Sequence, residues 1–132
     1  MLLTVVVVTM VVAGACTREP ERSVEAFCAQ IRAVQNIDEV IESGDTTRID
    51  AQLAQFRTAQ QVAPSDIEPQ VGVLVQLTDE LSRAMATAKS PDLAASEVFA
   101  RPDLDRPAIE AAGTAVQRYA ADKCQVQLKG GA

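Results

Sequence analysis

From Val24 to Cys124 apolar residues recur every three or four positions, and the runs are broken only by short segments rich in Gly, Pro, Ser and Asp. That spacing places the apolar residues on one face of a helix, so the chain is read as all-α. Val24, Phe27, Cys28, Ile31, Val34, Ile37 and Ile41 predict a first helix over residues 24–43, with Ser23 as N-cap and Gly44 just past its end. Thr47, followed three residues on by Asp50, starts a second helix through Ile49, Leu53 and Phe56, which must end before Pro64. Asp66 is read as the cap of a third helix, with Pro69 in its first turn, where the missing N–H has no partner to lose.

Val71, Val73, Val75 and Leu77 also alternate as a half-buried strand would, but the helical seam runs on through Leu81 and Met85 to Ala88, longer than most strands. Two extra valines outside the seam make this the helix expected to be most enclosed, and Gly72 within it marks the close approach of a neighbour. Ser90-Pro91 opens a short helical piece to about residue 100, with Leu93, Val98 and Phe99 turned inward. Asp105 then caps a fourth long helix over residues 107–128, carrying Ile109, Ala112, Val116, Tyr119 and Cys124. Short links between long helices force antiparallel neighbours, so the expected architecture is an up-down-up-down four-helix bundle with one extra short piece before the last helix.

The front of the chain is different. Residues 2–15 carry no charge, and the run closes on Ala13-Gly14-Ala15-Cys16. It is too short to span a bilayer comfortably, which takes roughly 20 apolar residues, and has the length of a signal h-region. The closing tetrapeptide resembles the lipobox of bacterial lipoproteins, in which the cysteine receives a diacylglyceryl thioether and becomes the first residue after cleavage. Cys16 is the lipidation site this implies. The likeness departs from the pattern in two places: Ala13 stands where Leu is usual, and no Lys or Arg precedes Arg18, as an upstream start would explain. Ordinary cleavage near Ala15 and an uncleaved anchor are the alternatives. The expected division is a signal segment 1–15, a polar tether 16–22, a helical domain 23–128 and a disordered tail 129–132.

Compartment decides how the cysteines are read. The chain has three, and with Cys16 assigned to lipid an even pair is left, Cys28 and Cys124. Paired cysteines in an exported chain form disulfides, the other reading being two separate buried thiols. In the expected topology the start of the first helix lies beside the end of the last, so both cysteines fall at the same end. Closing so long a loop stabilises by up to about 4–5 kcal/mol.

Phe27-Cys28, Val62-Ala63-Pro64 with acidic residues after it, and Arg118-Tyr119-Ala120-Ala121-Asp122-Lys123-Cys124 are similar to the small helical lipoproteins and secreted proteins of actinobacteria. The resemblance covers roughly residues 23–124. It implies the helical fold and the disulfide rather than an activity. Members commonly have Gly after the last cysteine, where this chain has Gln125.

Composition narrows function mainly by exclusion. A net charge of −6 with one Tyr and three Phe gives neither the positive field nor the stacking platforms that nucleic acid requires. The same charge repels anionic lipid, so membrane attachment would come from the lipid on Cys16. The chain has no His, which removes Ser-His-Asp and Cys-His sites and His-ligated zinc. No cofactor fingerprint is present. Asp38, Glu39, Glu42 and Asp45 gather where a helix dipole disfavours acids and could hold Ca²⁺, against the simpler reading of a solvated face. Asp103 and Asp105 are read as caps beside prolines. The leading expectation is a non-catalytic, membrane-tethered interaction or assembly protein on the outer face of the cell membrane, or a secreted one. A carrier of small apolar ligand between helices comes second, and an enzyme built on paired carboxylates third.

Overall fold

The structure, a computed structural model, describes residues 20–34 and 37–128, without the side chains of Ile37, Asp38 and Ile41. Cys16, the signal segment and the tail 129–132 lie outside the described residues. Those described are all-helical: α1 Val24–Ala33, α2 Ile37–Ser43, α3 Thr46–Val62, α4 Glu68–Met85, α5 Pro91–Phe99 and α6 Arg106–Tyr119, the last continued by a π-helical turn Ala120–Cys124. Helix α3 packs on α1, α2 and α4, while α4 packs on α3, α5 and α6; the π turn returns to α1.

Local chemistry sets most of the starts. The Ser23 side chain accepts from the Ala26 N–H at 3.1 Å, the Ser90 side chain from Leu93 at 3.3 Å, and Asp105 Oδ1 from Ala108 at 3.0 Å, each filling one of the four N–H positions a helix leaves unpaired. At α3 the cap is Asp45 rather than Thr47: its Oδ1 accepts from both Thr47 and Arg48, at 3.0 and 3.2 Å. Gly44, at φ 66°, reverses the chain just past Ser43, where expected, and brings the Asp45 carboxylate into position two residues ahead of Thr47. At α4 no side chain caps. Ile67 and Glu68 donate to the Pro64 carbonyl at 3.1 and 2.9 Å, and Ile67 is buried, so a hydrophobic residue sets the start where Asp66 was expected to.

Three further differences have physical causes. The expected first helix is two, because α1 closes at Val34, whose N–H reaches back only to Ile31 at 3.3 Å. In α5 the buried pair is Ala94 and Val98, four apart, so Leu93 and Phe99 fall on other faces and are 55% and 37% exposed. Helix α6 stops at Tyr119 and not at 128: after the π turn Gln125 adopts a left-handed φ of 55°, which swings Val126 into the core.

The principal core joins Phe27, Ile31, Phe56, Val71, Val75 and Val116 around the Cys28–Cys124 pair. A smaller cluster of Val40, Ile49 and Leu53, backed by Met85, lies beneath α2. Helix α3 buries five residues fully and α4 two, yet α4 leaves only Pro69, Gln76 and Arg83 exposed against ten residues of α3, so α4 is the most enclosed helix, as expected, although Val73 and Leu77 are not sealed within it. Its outer face, with those two residues, opens on a groove. The expected close approach at Gly72 is present: a Cβ there would stand 2.9 Å from Gln60 Nε2.

Candidate functional site

Two places gather residues with chemical potential. The first is the end where α1 begins and α6 finishes. Cys28 and Cys124 are bonded, with Cα atoms 5.1 Å apart and both side chains buried. The π turn carries Cys124 across to α1. Its carbonyl, left without an intrahelical partner, accepts from Arg32 Nη2 at 3.2 Å. Beside the bridge the Phe27 and Tyr119 rings meet edge to face, centroids 5.7 Å apart, an arrangement that matches ring edge to ring face. Burial raises the Tyr119 phenol above its ordinary value, and the negative charge of Asp66 adds to the rise. The sequence expectation for the two cysteines therefore matches the geometry.

The second place was not foreseen. Between α4, the start of α6 and the segment before α6 lies an open groove of about 280 Å³. Val73 and Leu77 from α4 and Leu104, Ala108 and Ile109 from the opposite wall give it apolar sides. At its rim the Arg101 guanidinium forks onto Asp103, with Nη2 to Oδ2 at 2.6 Å and Nε to Oδ1 at 3.2 Å, while Nη1 reaches Glu80 Oε2 at 2.9 Å. The hydrogen bond from Arg101 holds the Asp103 carboxyl below the usual range, and in return Asp103 and then Glu80 raise the guanidinium. Both partners are well exposed, so the pair adds little to the stability of the fold. Asp105 completes the rim while capping α6. A smaller cavity of about 70 Å³, bounded by Val40, Leu53, Leu81, Met85 and Pro91, lies over the minor core.

The other singled-out acids are accounted for individually. Asp45 is a cap, Glu39 and Glu42 are exposed, and the Asp38 side chain lies outside the described residues. Among the described residues no three His, Cys, Asp or Glu side chains are grouped to hold a metal ion. Asp103, expected as a cap, is the partner of Arg101 instead, since Asp105 stands nearer the helix start. The signal that could have found the groove is the i, i+4, i+7 stripe of Val73, Leu77 and Glu80 on α4, facing an Arg-Pro-Asp segment.

Among the described residues no helix is long and apolar enough to cross a membrane. No family model matches the chain, and no curated protein or solved structure matches it.

Proposed function

We propose that the protein is a membrane-tethered, non-catalytic module of the cell envelope that docks another envelope protein, held by lipid at Cys16. The observation that carries the docking part is the groove: a concave surface with apolar walls and a charged rim on the outer side of α4 and α6. Its volume of about 280 Å³ falls just below the roughly 300–1,000 Å³ of small-molecule pockets, and the separate cavity over the minor core is smaller still. Both sizes favour the insertion of a few side chains over the carriage of a lipid.

The up-down-up-down arrangement belongs to the same reading. It is supported by the short links and by the bond between the beginning of α1 and the end of the last helical turn. So does membership among small helical actinobacterial lipoproteins, on the residues quoted above. From Cys16 to Ser23 the tether reaches at most roughly 25 Å, which keeps the disulfide end of the domain near the membrane. Intact mass of the protein from its native membrane tests the anchor. A chain beginning at Cys16 and carrying a diacylglyceryl group is the expected result; a chain cut elsewhere without lipid overturns it.

A further inference from the structure

Resting on that reading, the groove also says what kind of partner fits it. Three carboxylates line it, from Glu80, Asp103 and Asp105, against the single guanidinium of Arg101. Arg106, next in sequence, is turned away to donate to the Phe99 carbonyl. The rim is therefore net negative by two charges on a chain that is itself negative by six. Arg101 is already shared between two acids, so it is poorly placed to receive an anion. The apolar walls of Val73, Leu77, Leu104 and Ile109 meanwhile stand half-buried and open to one side. From α4 position 73 to 80 the groove is about 10 Å long, the length of two turns of a helix.

We infer that the groove receives a basic amphipathic helix of a partner protein, one or two apolar side chains filling the walls while neighbouring Lys or Arg residues meet Glu80 and Asp103. This is helix-in-groove recognition, in which apolar anchors give affinity and complementary charge gives register. Arg101 occupies, from within the chain, the position an incoming cation shares. Removing it therefore leaves the rim more negative and the site more receptive. A purely structural role for Arg101 gives the opposite sign.

The test uses the full chain, produced in an exporting host and purified in mild non-ionic detergent. The probe is a fluorescent amphipathic peptide of Leu and Lys, with a Leu/Glu peptide of the same pattern as control, and binding is read by fluorescence anisotropy. Exposed ion pairs set the expected scale at about two- to fivefold in Kd per carboxylate. Glu80→Gln weakens binding by that factor, Arg101→Gln tightens it by a similar one, and Glu42→Gln, on the exposed face of α2, changes nothing. Ala108→Phe, which fills the groove from the wall opposite α4, abolishes binding while the circular dichroism spectrum is kept. Binding weakens as salt is raised.

Weaker binding by Arg101→Gln, equal losses at Glu42 and Glu80, or equal affinity for the Leu/Glu peptide would overturn the inference. Absence of any binding overturns it too, and leaves the anchor reading to be judged separately by the mass measurement.

Discussion

Reduction of the Cys28–Cys124 bond is the perturbation whose size can be worked most directly. The bridge closes a loop of 96 residues, and loop-closure entropy for that length gives about 4.7 kcal/mol at 25 °C. Net stabilities of domains are typically about 5–15 kcal/mol, so the bridge supplies a third or more of the total. The folded state gives little of this back on reduction, because both thiols remain buried among Phe27, Ala120 and Val126 and need no hydrogen-bond partner. The loss therefore falls on the unfolded ensemble. With a urea dependence of about 1–3 kcal/mol per molar, the unfolding midpoint should fall by roughly 1.6–4.7 M in dithiothreitol, and the slope should steepen as the unfolded chain expands. Far-ultraviolet circular dichroism follows the helices. Fluorescence of Tyr119, the only tyrosine in the chain, follows the contact with Phe27 at the bridge itself. A midpoint that moves by less than about 0.5 M, or alkylation of both cysteines in the native, unreduced protein, refutes the reasoning.

Two further outcomes follow from the same end of the molecule. Gln125→Gly removes the crowding of a side chain at φ 55°, worth about 1–2 kcal/mol, against about 0.5–1 kcal/mol of added unfolded-state entropy. The bonds from Gln125 and Val126 N–H to the Ala120 carbonyl do not involve the side chain. A net gain of roughly 0.5–1 kcal/mol in urea unfolding is expected, and a loss would mean the Gln side chain is itself a needed contact. For Tyr119 the folded phenol titrates above its unfolded value of about 10, so its contribution to stability is complete below that pH and disappears as pH rises through the folded value. Ultraviolet absorbance of tyrosinate should show a midpoint above that of the urea-unfolded chain; coincident midpoints would place the ring in solvent.

What the sequence made legible was what is local or arithmetical. Ser23, Ser90 and Asp105 could be read as caps because a cap is decided within three residues of itself. The cysteine pairing could be read because the number left over was even and the topology put both at one end. The break after Val34 was missed although Asn36, a residue type favoured ahead of a helix, precedes Ile37, Asp38 and Glu39: an unbroken apolar spacing outweighed it. The left-handed turn after Cys124 carries no glycine to announce it, so nothing in the residue types ends the helical run at Cys124. The groove was illegible for another reason. Val73 and Leu77 look like core positions, and only the groove between α4 and the start of α6 leaves them half-covered.

That groove and the disulfide lie at opposite ends of the same helix. Helix α6 has 14 residues, so about 20 Å of helix separates the groove at its start from the bridge just beyond its end. On the anchored reading, a pull on the tether meets Ser23, whose N–H donates to the Val62 carbonyl at 3.1 Å. Arg22, just ahead of it, reaches the Ala63 carbonyl at 3.5 Å. Five residues further on, the pull meets the covalent bond at Cys28. Peeling α1 from the domain would require breaking that bond, so the load passes to the C-terminal end and to α3 as shear over a packed core. The groove, walled by α4 and the far end of α6, stays outside this path. A partner docked there would be held by a rigid body whose anchor does not compete with it for the same contacts.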